Sequence, residues 1–119
     1  MKIAITSQGL DLDAQIDPRF GRAAYILVVD TLTNEFTVLD NNKNKNAFKG
    51  AGIQAAAMIS ESGAEVLLTG FCGPNAFETL EAAGVKVVND QTGRIKDAVL
   101  NFQQGNVVYA ENANKDGHW

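Results

Sequence analysis

A chain of 119 residues, 45% hydrophobic and 20% charged, is long enough for one domain around one sizeable core. Its net charge of −4 argues against nucleic acid as a partner, and no apolar run approaches the roughly 18 residues of a membrane span. One cysteine and one histidine exclude an internal disulfide and the usual protein-only zinc cage; with an amino terminus that lacks signal-peptide regions, they predict a cytoplasmic protein.

The chain opens on a short apolar strand, Lys2 to Thr6, followed by the polar turn Ser7-Gln8-Gly9. Leu10 to Ile16 alternates acidic and apolar residues and reads as a loop. Asp17-Pro18-Arg19-Phe20-Gly21-Arg22 is compact: Pro18 pushes Asp17 out of helical geometry, Gly21 permits positive φ, and two of the three arginines sit here. Ala24 to Asp30 and Phe36 to Leu39 are strands joined by a turn too short for anything but antiparallel pairing. Asn41 to Lys49 has no hydrophobic period and is expected to be a mobile loop carrying Lys43, Lys45 and Lys49.

Gly50-Ala51-Gly52 opens a helix that runs to about Ser62, with Gly63 as its left-handed cap. Glu65 to Thr69 is a buried apolar strand. The turn Gly70 to Asn75 leads into a helix to Ala83, with Pro74 suited to its first position and Gly84 beyond its end. Val85 to Val88 is the fifth strand. Gly93 to Phe102 is a helix with Ile95, Ala98, Val99 and Phe102 on one face. The remainder reads as a polar tail, fraying except at Val107-Val108-Tyr109, which docks or forms a short strand; the expected division is a domain over 1–105 and a tail over 106–119.

The order β-β-β-α-β-α-β-α predicts an α/β three-layer sandwich: a mixed five-stranded sheet, mostly parallel with the second strand antiparallel, and helices on both faces. Ligands of such sheets bind beyond the carboxyl ends of the parallel strands, here Ser7-Gln8-Gly9, Gly70 to Asn75 and Asn89-Asp90. The amides that open the helix after Gly70 to Asn75 form an anion seat, with Cys72 in it. Cys72 is either a buried small hydrophobe or a soft thiolate ligand whose pKa the helix terminus lowers. It makes a poor catalytic nucleophile, because the only histidine, His118, lies in the tail. Arg19 and Arg22 either clamp an anion or pair with Asp11, Asp13 or Asp17. Lys43, Lys45 and Lys49 form a solvated run or one that closes over an anion. Gly50 to Ala55 fits G-x-G-x-x-A, but no strand precedes it, so a dinucleotide is not the expected ligand. His118 and Trp119 are a terminal pair better read as disordered than as a metal site.

Ile16-Asp17-Pro18-Arg19-Phe20-Gly21-Arg22-Ala23, Gly50-Ala51-Gly52-Ile53-Gln54-Ala55-Ala56 and Leu68-Thr69-Gly70-x-x-Gly73-Pro74-Asn75-Ala76-Phe77 together resemble the dinitrogenase iron–molybdenum cofactor biosynthesis family, the NifX-like and NifB C-terminal domains. The resemblance covers about Met1 to Gly105, and the cysteine motif is most similar to a branch that holds a molybdenum–copper sulfide cluster without covalent attachment. It implies a ribonuclease-H-like fold and a non-enzymatic protein that binds or carries an anionic metal–sulfide cluster, of molybdenum–copper or iron–molybdenum type. Carried across by position, the site comprises Ser7, Arg19, Phe20, Arg22, Gly50, Gly52, Gln54, Gly70, Phe71, Cys72, Gly73, Pro74, Asn75 and Ala76, with Cys72 as the metal ligand. Implied partners are cluster donor and acceptor proteins, including ATPases of the same operon, with the chain a monomer or weak dimer. The competing reading is a metal-free protein–protein adaptor in cofactor trafficking or cell division. A phosphoesterase, suggested only by the fold's namesake, lacks evident paired carboxylates.

Overall fold

The structure, a computed structural model, describes residues 1–45 and 50–113. Five strands form one sheet: β1 (Lys2–Ser7), β2 (Tyr25–Asp30), β3 (Phe36–Asp40), β4 (Val66–Leu68) and β5 (Lys86–Val88). Their spatial order is β3-β2-β1-β4-β5. β2 runs antiparallel to both β1 and β3, while β1, β4 and β5 are parallel. The mixed sheet with an antiparallel second strand is therefore the one the element order requires.

Among the described residues there are four helices: α1 (Asn42–Lys45), α2 (Ala51–Ser62), α3 (Pro74–Ala82) and α4 (Ile95–Gln103). Strand alternation sends Ala4, Ile26, Val28, Leu67 and Val87 to one face, where they pack on Ala55, Ala56 and Ile59 of α2 and on Ala76, Phe77 and Leu80 of α3. Ile3, Ile5, Leu27, Val29, Val66, Leu68 and Val88 go to the other face, against Ile95, Ala98 and Val99 of α4. The alanine stripe of α2 lets it lie close to the sheet and to α3. Gly63 ends α2 at φ 84, where a left-handed residue returns its amide to the Ser60 carbonyl.

Two expectations change. Asn42–Lys45 is a single helical turn rather than loop, because the buried Asn41 stands at its start and accepts a hydrogen bond from Asn44 Nδ2 at 2.9 Å. The tail does not fray through Ala113. Ala110 N–H donates to the Val87 carbonyl at 2.7 Å, Ala110 and Ala113 pack on the α2/α3 core, and Lys86 Nζ lies 5.0 Å from the centre of the Tyr109 ring. Val107 reaches the α4 core, so the segment straps the outer edge of β5.

Candidate functional site

The carboxyl ends of β1 and β4 open onto two loops that interlock. Thr6 accepts the Asp17 amide on its carbonyl at 2.9 Å and donates its hydroxyl to the Asp17 carbonyl at 2.7 Å; its Oγ1 also lies 2.9 Å from Thr69 Oγ1. Pro18 then meets Gly70. The Phe71 amide donates to the Pro18 carbonyl at 2.6 Å, and the Phe20 amide donates to the Phe71 carbonyl at 3.0 Å, so that Arg19 and Phe71 pair as a one-residue parallel bridge. A Cβ on Gly70 would stand 2.6 Å from the Pro18 carbonyl oxygen and 2.7 Å from its Cα, so only glycine allows this approach. The arginine loop and the cysteine loop, far apart in sequence, are thereby one surface.

Arg19 is half exposed on that surface. Its amide donates to Asp17 Oδ1 at 3.0 Å, while its Nε is 3.8 Å from the same oxygen, a long contact that leaves much of the guanidinium facing solvent. Arg22 lies in the same turn, its amide donating to the Arg19 carbonyl at 3.1 Å. Asn41 secures the far end of the loop: its Nδ2 donates to the Ala23 carbonyl at 2.8 Å and to the Gly21 carbonyl at 3.3 Å, and its amide donates to Ala24. Sequence reasoning missed Asn41. The available signal was an asparagine directly after a strand, a residue type suited to bonding backbone groups where regular pairing stops.

Beside the interlock stand two helix N-termini without acidic residues or side-chain caps. The residue before α3 is Gly73, extended at φ −73 and ψ 166, with Pro74 opening the helix. The residue before α2 is Gly50, left-handed at φ 76. The first amides of each helix lack intrahelical acceptors by geometry, and the helix dipole adds partial positive charge there. Ile53 in the first turn of α2 and Asn75 in that of α3 border one shallow groove with Glu78, Thr79 and Ala82, which brings the two termini side by side. Gly50, Gln54, Pro74 and Asn75 are exposed, as is Phe71 at 41%; Gly52, Gly73 and Ala76 are buried between the helices and the sheet.

Three expected site residues lie deeper than the rim. Cys72 is wholly buried in the α2/α3 core, its Sγ 3.7 Å from the Gly73 carbonyl. Burial pushes its thiol from 9.0 up to about 12, so desolvation outweighs the helix terminus that was expected to lower it. Phe20 is buried in the same core, where it anchors the arginine loop from beneath. Ser7 is buried and bonds within its own turn, donating to the Gly9 carbonyl at 2.8 Å and accepting the Gly9 amide at 3.1 Å. Lys43 is exposed on α1, whereas Lys49, His118 and Trp119 lie outside the described residues. Among the described residues no three His, Cys, Asp or Glu side chains gather as a metal-ligand set, and no helix is long and apolar enough to cross a membrane.

The sequence model of the dinitrogenase iron-molybdenum cofactor family matches residues 1–105. The apo form of the orange protein from Desulfovibrio gigas superposes with a TM-score of 0.93 at 47% identity, covering 96% of each chain. A protein from Thermotoga described as of NifB type superposes at 0.82 with 34% identity over 98% of each chain. An uncharacterized protein of Methanocaldococcus jannaschii is 23% identical over 108 residues, 88% of this chain and 92% of its own length.

Proposed function

The chain belongs to the dinitrogenase iron-molybdenum cofactor family, and on that footing we propose that it binds and carries an anionic metal–sulfide cluster without transforming it. One observation supports this most: the Pro18–Gly70 interlock joins the loop of the half-exposed Arg19 to the loop that leads into the uncapped N-terminus of α3. A polyanion there meets cationic and amide donors whose positions are already paid for by folding. Arg19 and Arg22 neutralise charge, the first amides of α3 contact the sulfides, and Gly50, Gly52 and Gln54 form the neighbouring wall. Phe71 and Pro74 offer apolar surface to the faces of the cluster.

A molybdenum–copper sulfide cluster is the favoured cargo, given the resemblance of the cysteine motif and the 47% identity to the orange protein; iron–molybdenum cofactor or its precursor is the alternative. Cys72 fits a ligand role only with its loop turned outward and its proton lost, and cuprous copper, a soft acid, is the metal that would favour that exchange.

The test is anaerobic reconstitution with tetrathiomolybdate and cuprous ion, followed by gel filtration, visible absorption and analysis of molybdenum, copper and sulfide. The double substitution Arg19→Ala and Arg22→Ala is expected to lower retained cluster about tenfold, and retention equal to the unsubstituted protein refutes the site. Cys72→Ser separates packing from ligation: an unchanged visible spectrum excludes the sulfur as a required ligand.

A further inference from the structure

Among the described residues, five polar or charged ones are buried: Thr6, Ser7, Asp17, Asn41 and Thr69. Thr6 and Ser7 end β1, Thr69 follows β4, Asn41 follows β3, and Asp17 is hydrogen-bonded to Thr6. β3 is parallel to β1, because each is antiparallel to β2. All five therefore lie at one end of the sheet, the end that carries the Pro18–Gly70 interlock.

Asp17 is the one carboxylate in this set, with its side chain 7% exposed, and a buried carboxylate is costly unless its charge is met. Its Oδ1 accepts the Arg19 amide at 3.0 Å, a local turn contact that an asparagine oxygen makes equally well. The turn alone thus gives no reason for the charge. Among the described residues that charge has one basic neighbour, the Arg19 guanidinium, whose Nε stands 3.8 Å from the same Oδ1. At that distance the pair is an electrostatic contact and not a hydrogen bond, and Arg19 remains half exposed.

We propose that Asp17 is a resident counter-anion, which competes with an arriving anion for the Arg19 guanidinium and takes it back when the anion leaves. This inference rests on the reading of the rim as an anion seat and gives that seat a means of release. The contact to be given up is long, so the guanidinium swings to the arriving anion without breaking a hydrogen bond of its own. After departure the buried carboxylate again has its cation. An internal competitor lowers affinity without removing any donor from the seat, which suits a protein that must surrender its cargo as well as hold it. Asp17 acts through Arg19 and is a positioning residue.

This role predicts a sign opposite to that of a merely structural residue. Asp17→Asn keeps the turn acceptor and removes the charge. The probe is the tetrathiomolybdate dianion, titrated into the isotopically labelled full chain and followed at the Arg19 Nε–H resonance. Asp17→Asn is expected to bind it about fivefold more tightly than the unsubstituted protein, the scale of a partly exposed ion pair. In an Arg19→Ala background, followed by backbone amide shifts, Asp17→Asn should leave affinity unchanged, since the competition has lost its object. Asp17→Ser, whose hydroxyl also accepts at such turns, should give the same gain and serves where the asparagine variant does not fold. Equal or weaker binding by the folded variant, a gain that persists undiminished in the Arg19→Ala background, or an Arg19 Nε–H resonance that the dianion does not move overturns the proposal. The reconstitution assay separates this from the proposed function. Cluster retained, with dianion binding unchanged by Asp17→Asn, refutes the competition and keeps the carrier. Tighter dianion binding by Asp17→Asn, with no cluster retained by either protein, refutes the carrier and keeps the competition.

Discussion

Gly70 illustrates how a single missing methyl group shapes the rim. Its substitution by alanine would drive a Cβ into the Pro18 backbone, which cannot yield as a flexible side chain does. Gly70→Ala is expected to cost about 2 kcal/mol, read as a lowered denaturant midpoint at unchanged slope. Cys72 makes a different prediction, about pH. Its folded pKa lies near 12 against an ordinary value of 9.0, so above pH 9 the unfolded chain releases a proton that the folded chain keeps. Stability from this group is intact below pH 9 and falls by up to about 1.4 kcal/mol per unit as the pH rises toward 12. Cys72→Ala should flatten that part of the stability–pH curve, and an unchanged slope would show that the thiol is not desolvated.

Among the elements, α3 is where the proposed binding and stability can be set against each other. Its first turn has no acid, although an acid there would favour the helix. Asn75→Asp changes one exposed residue in that turn and should stabilise the fold by about 0.3–1 kcal/mol while lowering cluster retention in the reconstitution assay. Stability and retention that rise together would contradict an anion seat. The elements themselves were largely legible from sequence. β1, β2 and β4 are apolar runs bounded by polar or glycine-containing turns, Pro74 and Gly63 mark helix ends, and the short turns force the antiparallel pairs. Of the loops that the interlock joins, the one after β4 was legible as a turn at a strand end and the arginine loop as a compact motif. What the sequence hid was depth. Phe20, Cys72 and Ser7 sit one layer below the surface their motifs suggested, since a motif conveys proximity but not which side of a loop faces water. The Asn41 clamp was hidden too, because it rests on hydrogen bonds between segments about 20 residues apart, and the one-turn α1 starts from that clamped asparagine.

For the molecule as a whole, the strap from Val107 to Ala113 closes an edge that would otherwise be open. It contributes the Ala110–Val87 hydrogen bond, the Lys86–Tyr109 contact and the burial of two alanines. Ending the chain after Gly105 should cost about 2 kcal/mol, from roughly 1 kcal/mol for the hydrogen bond and 0.5–1 kcal/mol for the cation–π contact. It should also speed amide exchange in β5, and unchanged exchange there would mean the strap is merely adjacent.

The Pro18–Gly70 clasp has an implication for biogenesis. Synthesis runs from the amino terminus, and early segments begin to organise while later ones are still being made. A nascent polypeptide that has emerged only as far as Asp40 owns both arginines of the rim and neither the β4 loop nor α3. Half a receptor cannot hold a cargo, so under the proposed function the inorganic group is acquired only after the ribosome has finished at least the third helix.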